Sequence, residues 1–505
     1  MSKSTTKAGA GKPVYSDGYK RLVLVLLVTA YTFNFIDRTI IASIGQAIKV
    51  DLKITDTQLG LLGGLYFALL YTFLGIPLAR LAERFSRVNI ISGAIVIWSA
   101  FTALCGTAGS FATLAFYRFG VGVGEAGLSP PAHSLISDYY EPKKRASALS
   151  VYSFGIPLGT MIGAVMGGYL AQNFSWRVAF FIVGIPGVLI ALLIKMLIKE
   201  PPRGHSEPEP HPTLAEDVSP DEPAKPAPTL AQEFKEMGGV IKTLFGVWPV
   251  LNVVLGVTLV SFAGYGGGQF VQPYFIRAFH MSYAQVGLMV GLIGGLSQGV
   301  GTIAGGFLTD RLARFGTRWH ALVPAIGITL AYPFIVGIYT APTPTVAAFF
   351  LLLPGLFSYT YLGPSFGIVQ NMVPTHRRAT ATAVMFFFLN LIALGGGPPI
   401  TGLVIDHLAA YHFAHPDQPG MWAAVQGMFA SHVADFQAAC PGGVAPKTAD
   451  AAAKAACSSS LVLATRQGVI LAYAVSLWGA LHYLIASFGL KTAMAKARAD
   501  RGEAD

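Results

Sequence analysis

The sequence predicts an all-α membrane protein: twelve transmembrane helices in two six-helix bundles. Three observations carry this. The first is composition, since 53% of the 505 residues are hydrophobic and only 12% are charged, half the roughly 25% charge of a soluble domain; the mean hydropathy is +0.55. The second is that apolar runs recur at lengths that cross a hydrocarbon core of ~30 Å. The third is one abrupt change of composition near the middle, which divides those runs six and six.

A polar tail occupies residues 1–19. The first bundle, residues 20–198, holds runs at about Lys20–Ala47, Gln58–Ala82, Val88–Gly106, Phe111–Ser137, Ala146–Ala171 and Val178–Ile198. Residues 199–242 form a linker whose stretch from Glu200 to about Leu230 is rich in Pro, Glu, Asp and Ala, the composition of extended or disordered chain. The second bundle, residues 243–490, holds runs at about Val247–Phe275, Val286–Leu312, Leu322–Tyr339, Val346–Met372, Thr380–Leu408 and Gly468–Phe488, and residues 491–505 are a closing tail. With both tails and the linker on one side, that side receives 26 of the 35 Lys and Arg residues and the other side 7. Positive residues accumulate on the cytoplasmic side, so both termini are expected there. The net charge of +10 therefore reads as topology signalling in short connectors, not as a nucleic-acid surface.

Two arginines remain inside spans, Arg38 and Arg118, accompanied by Asp37 and Glu125. An ionisable group at mid-membrane costs about 2.5–3.5 kcal/mol on insertion scales, which makes each a functional-site candidate. Arg118 and Glu125 are seven residues apart, nearly two helical turns, so they share a face about 10 Å apart along the axis. Glycines between them let a neighbouring helix approach, and the first span is expected to be that neighbour. Counted from Lys20, Asp37 lies roughly 25 Å in, and Arg118 lies roughly 10 Å in from the opposite end of its span, so the two nearly coincide in depth. The expectation is that Arg118 stands between two carboxylates, Asp37 beside it and Glu125 below. Protonating one acid would let the arginine favour the other, a proton switch; the alternative is a static buried ion pair locking two helices.

Arg38 reads either as a contact for a phosphate or carboxylate head, which suits a planar guanidinium, or as an ion pair or snorkelling residue. His133, eight residues after Glu125 on the same face, could extend a proton path or simply pack. Asn34, Phe33, Tyr66, Tyr152, Tyr265, Gln269, Tyr359 and Phe386 are candidate lining residues, largely aromatic. The second bundle is expected to hold almost no buried charge. A polar site opposed by an aromatic wall suits an amphiphile with a charged head and a long tail. Gly122–Gly127 fits G-x-G-x-x-G and Gly295–Gly299 fits G-x-S-x-G, but both lie within apolar helices and lack the strand that either motif needs. No metal cluster, cofactor motif or enzyme constellation is evident. Cys440 and Cys457 fall together in the long loop 409–467, on the oxidising side, where a disulfide can persist.

The halves echo one another. ARLAERFSR follows the second run and GFLTDRLARFGTR the eighth, placing Glu83–Arg84 and Asp310–Arg311 at an offset of 227 residues. EPKKRA and PTHRRA, with Arg145 and Arg378, repeat at an offset of 233. Parallel six-span repeats are a transporter architecture. The chain resembles the major facilitator superfamily over essentially its full length. The loop signature G-x-x-x-D-R of that family stands intact at Gly306, Asp310 and Arg311; in the first half Ala79 replaces the glycine, Glu83 the aspartate and Ser86 a later glycine, while the charge pair is kept as Glu83–Arg84. The resemblance implies a cytoplasmic gate at Glu83, Arg84, Asp310 and Arg311. N-F-I-D-R around Asp37, the Arg118–Glu125 spacing with G-E-A, and S-P-P-A-H-S-L-I-S-D-Y-Y resemble the Spinster-like lipid transporters. That implies a monomeric, proton-coupled carrier of a lysophospholipid or sphingolipid-like molecule, working by alternating access in the bilayer, with Asp37, Arg118 and Glu125 coupling protons. An organic-anion:proton symporter of the same superfamily is the alternative reading, and a ligand-sensing receptor a third. Short loops point to a bacterial inner membrane.

Overall fold

The computed structural model describes residues 15–203, 205–206, 230–373 and 378–499. The first half is built from α1 (Asp17–Leu52), α2 (Asp56–Gly63), α3 (Leu65–Arg84), α4 (Arg87–Cys105), α5 (Phe111–Glu125), α6 (Ser129–Tyr139), α7 (Pro142–Ser153), α8 (Gly155–Asn173) and α9 (Trp176–Leu197). After α10 (Leu230–Gly246), the second half contains α11 (Trp248–Phe279), α12 (Tyr283–Met289), α13 (Gly295–Ala313), α14 (Trp319–Thr340), α15 (Pro344–Ser358), α16 (Leu362–Asn371), α17 (Arg378–Phe388), α18 (Gly395–Ala414), α19 (Met421–Gly427), α20 (Val433–Ala439) and α21 (Ala451–Ala499). Among the described residues there is no strand. Part of the segment read as linker, residues 230–242, is helical.

Among the described residues, eleven helical stretches are long and apolar enough to cross a membrane. The remaining span of the twelve is the fourth, which is split into α5 and α6. Pro130 and Pro131 stand in the first turn of α6; proline has no N–H to give to a continuing helix and is well suited to starting one. Span starts are set by side chains that satisfy orphan N–H groups. Ser16 accepts from Tyr19 N at 3.2 Å, and Thr55 with Gln58, Ser110 with Thr113 and Ser282 with Gln285 form capping boxes. Two spans of the second half, α12–α13 and α17–α18, pass through π-helical turns at Val290–Gly294 and Leu389–Leu394.

The two halves run parallel. Gln272 on α11 donates to Ser43 on α1 at 3.0 Å, and Arg277 reaches Gln46 at 2.8 Å. The starts of α1 and α11 therefore share one face, where Tyr19 also bonds the carbonyl of Leu197 at 2.9 Å. The opposite, distal face is where the halves close against each other. Backbones touch there because glycine lacks a Cβ: one added at Gly60 on α2 would lie 2.3 Å from the Pro398 carbonyl oxygen, and one at Gly402 on α18 would lie 2.2 Å from that of Asp56. The segment expected to be a loop over 409–467 is shorter, because α18 runs to Ala414 and α21 begins at Ala451; the disulfide between Cys440 and Cys457, Cα–Cα 5.8 Å, therefore ties the distal loop to the start of α21.

Candidate functional site

Consecutive residues on an α-helix point about 100° apart, and at Asp37 and Arg38 that divergence builds two ion pairs instead of one three-membered device. Asp37 turns toward α4 and α5. Its Oδ1 accepts from Arg118 Nη1 at 3.0 Å, and its Oδ2 accepts from the Thr102 hydroxyl. Arg38 turns the other way and donates from Nε to Glu125 Oε2 at 2.7 Å. Arg118 thus serves Asp37, and Glu125 is served by Arg38; the expected placement of Arg118 between both acids is corrected. Its remaining polar contact is the Leu62 carbonyl, at 3.4 Å from Nε.

An aromatic ring connects the pairs. Phe67 lies under both guanidiniums, 4.9 Å from that of Arg38 and 5.5 Å from that of Arg118. Arg38 also stands over Phe35 at 5.0 Å and Tyr71 at 4.5 Å, a cage in which desolvated cation–π contacts are worth about 2 kcal/mol. The pairs differ in access. The Arg118 side chain is 1% exposed, whereas that of Arg38 is 19% exposed. Of the two paired arginines, Arg38 is the more exposed. Glu125 Oε1 and both polar atoms of Asn34, all buried, have no hydrogen-bond partner among the described residues.

The glycines of α5 have a different role from the expected one. A Cβ at Gly124 would lie 2.5 Å from the Trp98 nitrogen on α4, and one at Gly122 would lie 2.6 Å from the Phe67 carbonyl oxygen on α3. They admit α4 and α3, not α1, and so set the depth of Phe67 beneath the arginines.

Tyr152 stacks on Tyr31 at 4.4 Å, and exposed His133 meets the Tyr152 ring edge-on at 5.3 Å. Phe33 is partly buried against a core that residues of both halves build. Tyr66 packs on Phe119 and Phe111 of α5. In the second half, Tyr265 is exposed and Gln269 is buried, with its carboxamide filling the space left by Gly63 of α2. Tyr359 lies 6.4 Å from Tyr361, whose hydroxyl meets Ser261 at 2.9 Å; Phe386 is exposed and packs on Phe366 at 5.1 Å. At the face of the termini, Arg84, Asp310 and Arg311 are exposed; the Glu83 side chain lies outside the described residues.

The expectation that the second half buries almost no charge is overturned. Arg277 of α11 and Asp406 of α18 are buried at the distal face, as are Lys49 and Asp56 of the first half. Lys49 and Arg277, read from sequence as loop residues, belong to the last turns of α1 and α11. Lys49 Nζ donates to Asp56 Oδ2 at 2.5 Å, and Arg277 donates to both Asp56 oxygens at 2.6 and 3.2 Å. The missed signal was the polar sequence Thr55–Gln58, a capping box that returns an acid to the end of α1.

Two parallel six-helix halves, closed on one face around a buried charged site, define a transporter of the alternating-access class. Residues 27–398 match the sequence profile of the Major Facilitator Superfamily, and the chain belongs to that superfamily; within it, it is Spinster-like. Its fold is similar to that of a bacterial homolog to the human lysosomal transporter Spinster in an inward-facing, unoccupied conformation, with 30% identity and a TM-score of 0.79 over 96% of this chain and 99% of that one. Among curated relatives, an MFS-type efflux pump of Mycolicibacterium smegmatis is 31% identical over 76% of this chain and 84% of its own. A hexuronate transporter of Bacillus subtilis is 25% identical over 77% and 89%. The Sphingosine-1-phosphate transporter SPNS2 of Xenopus tropicalis is 26% identical over 79% and 77%.

Proposed function

We propose that this chain is a proton-coupled carrier of an amphiphilic lipid, a lysophospholipid or a sphingolipid-like molecule with an anionic head. The observation that carries the reading is the asymmetry of the two ion pairs. Arg38 is partly exposed, caged by aromatic rings and bonded to a carboxylate that no other described residue satisfies. An anionic head drawn to Arg38 competes with Glu125 for the guanidinium. Glu125, once deserted, is a buried carboxylate without a counterion, and neutralisation by a proton is the low-cost outcome. Head and proton thereby bind together, while Asp37 and Arg118 hold the helices and report proton uptake through the shared Phe67. Aromatic and apolar residues around the site accept the tail. The relatives named for Spinster and for a sphingosine phosphate are in keeping with this.

The carrier works as a monomer in a bacterial inner membrane, with both termini cytoplasmic and the distal face outward. A second reading, an organic-anion:proton symporter, draws on the hexuronate relative, since Arg38 would serve a sugar carboxylate equally well. Purified protein in proteoliposomes separates the two. Lysophospholipid movement stimulated by a pH gradient, with no sugar-acid uptake, is the expected result; gradient-driven sugar-acid uptake without lipid movement overturns it.

A further inference from the structure

Glu125 is sealed from solvent. Its side chain is fully buried, Oε2 is bonded to Arg38, and Oε1 has no partner among the described residues. The exposed edge of Arg38 is where a head arrives, so a proton bound for Glu125 needs another approach. Polar groups line one. On α1, Tyr31, Asn34 and Arg38 follow at intervals of three and four residues, and on the fourth span Glu125, Ser129 and His133 follow at intervals of four. Such spacing keeps each set on one helix face. The turn between α5 and α6 stays coiled, with Leu128 N bonded to Glu125 O at 3.2 Å. The two spans run in opposite directions, so both stripes lead from the Arg38–Glu125 pair toward the face of the termini, about 6 Å for every four residues. Tyr152 of α7 joins them. It stacks on Tyr31 at 4.4 Å, and Tyr31 meets Phe35 of the Arg38 cage at 5.1 Å. Ser129 is the polar neighbour of both phenols, and exposed His133 lies against the Tyr152 ring at 5.3 Å.

Three of these residues carry buried polar atoms that nothing satisfies. Both side-chain atoms of Asn34, the Tyr152 hydroxyl and Glu125 Oε1 lack a hydrogen-bond partner among the described residues. Each such group left dry is penalised, and buried water characteristically bonds to groups of this kind. Orphaned atoms gathered along one route mark a path for water, not separate packing faults. We infer that ordered water held by Asn34, Ser129 and Tyr152 connects Glu125 Oε1 with His133, and that the coupling proton reaches the carboxylate this way, behind Arg38. The His133 imidazolium gives its proton to the water beside it. The Tyr152 hydroxyl and each water then form one new O–H bond as an old one breaks, and Oε1 takes the last proton as the neutral acid. His133 reloads from solvent, and Asn34 positions the water without exchanging a proton itself. The charged groups facing Glu125 are Arg38 and, beyond it, Asp37 with Arg118; Tyr71 of α3 and Tyr265 of α11 stand by Arg38. Head and proton thus approach from different sides, and neither blocks the other.

The inference rests on Glu125 as the proton site but not on the identity of the substrate, so proton arrival and lipid flux are measured separately. Tyr152→Phe removes a hydroxyl without a described partner and keeps the stack on Tyr31; Asn34→Leu keeps side-chain size on α1 and removes both orphaned atoms. Full-length protein in nanodiscs is followed by time-resolved infrared spectroscopy after photorelease of protons, with and without lysophosphatidylglycerol. The protonated-carboxyl band that Glu125→Gln abolishes reports the proton at Glu125. Tyr152→Phe and Asn34→Leu are each expected to reach the parent's amplitude about tenfold more slowly, part of what a positioned proton carrier contributes, and His133→Gln to be slowed less. A parent-like rate in any of the three, with the band present, means that the proton passes Arg38 from the cavity; the route is then overturned and Glu125 remains the proton site. A changed amplitude at an unchanged rate marks a structural effect on Glu125 and also overturns the route. A parent protein with no band that Glu125→Gln removes, with lipid or without, overturns proton site and route together. Slowed arrival in the variants while lysophospholipid flux is absent from the parent refutes the lipid reading and leaves the route standing.

Discussion

Replacing Asp37 by Asn tests whether the deep pair is a charge device or mere packing. The substitution is nearly isosteric, and its carbonyl oxygen can still accept from Arg118 Nη1, which stands at 3.0 Å. What it removes is the counterion. Arg118 is 1% exposed and then keeps, besides that hydrogen bond and among the described residues, the Leu62 carbonyl at 3.4 Å and the face of Phe67 at 5.5 Å. Leaving one member of a buried pair uncompensated costs about 3–5 kcal/mol, offset in part by the retained hydrogen bond. Removing both charges, Asp37→Asn with Arg118→Gln, should cost about 1.5 kcal/mol or more less than the sum of the single losses, the coupling expected of contacting charges. Denaturant unfolding in mixed micelles followed by tryptophan fluorescence measures all four corners of the cycle. Additive losses, or a single-variant cost below about 1 kcal/mol, would refute the reasoning. Proton-driven uptake by Asp37→Asn is expected to fall only as far as the folded fraction falls, since the proton is placed on Glu125; loss of gradient stimulation in a fully folded variant would place a proton on Asp37 as well.

Two further outcomes follow from packing. Gly402→Val places a branched side chain where a Cβ alone would be 2.2 Å from the Asp56 carbonyl oxygen; the distal seam cannot then close, and solvent labelling of that seam should rise while global unfolding changes little. Unaltered labelling would mean that α2 yields. Cys440→Ser opens a loop whose cysteines are 17 residues apart, a constraint worth about 3 kcal/mol for a loop of that length. Faster limited proteolysis between residues 440 and 457 is expected, and an unchanged cleavage rate would show that the disulfide adds nothing to packing.

The twelve-span plan was legible because membrane helices advertise themselves by length and apolarity, and the repeat of Glu83–Arg84 at Asp310–Arg311 was visible as text. The central residues were legible for the opposite reason, since charges in apolar runs are too costly to be incidental. Their pairing was not. Depth along two helices places Asp37 level with Arg118, but rotation about the axis decides that Arg38, its immediate neighbour, faces Glu125. The split of the fourth span was signalled by Pro130 and Pro131 and passed over within a long apolar run. Least legible was the distal cluster. Lys49 and Arg277 stand at span ends, where basic residues ordinarily record topology, and the one local hint that Lys49 is sealed is the Thr55–Gln58 capping box that returns Asp56 to the end of α1. Asp406 lies within its span and reads as an end residue only when the helix is taken to stop early. Burial at a seam between halves depends on which helices meet, and that information is spread over 350 residues between Asp56 and Asp406.

The central claim is that an anionic lipid head and a proton meet at Arg38 and Glu125. Glu125→Gln keeps the shape and a hydrogen-bond acceptor for Arg38 while mimicking the protonated acid. Lysophospholipid flux in proteoliposomes, with and without a pH gradient, is the direct measurement. The account predicts that downhill lipid movement persists in the variant and that stimulation by the gradient disappears. Stimulation equal to that of the parent protein would contradict it.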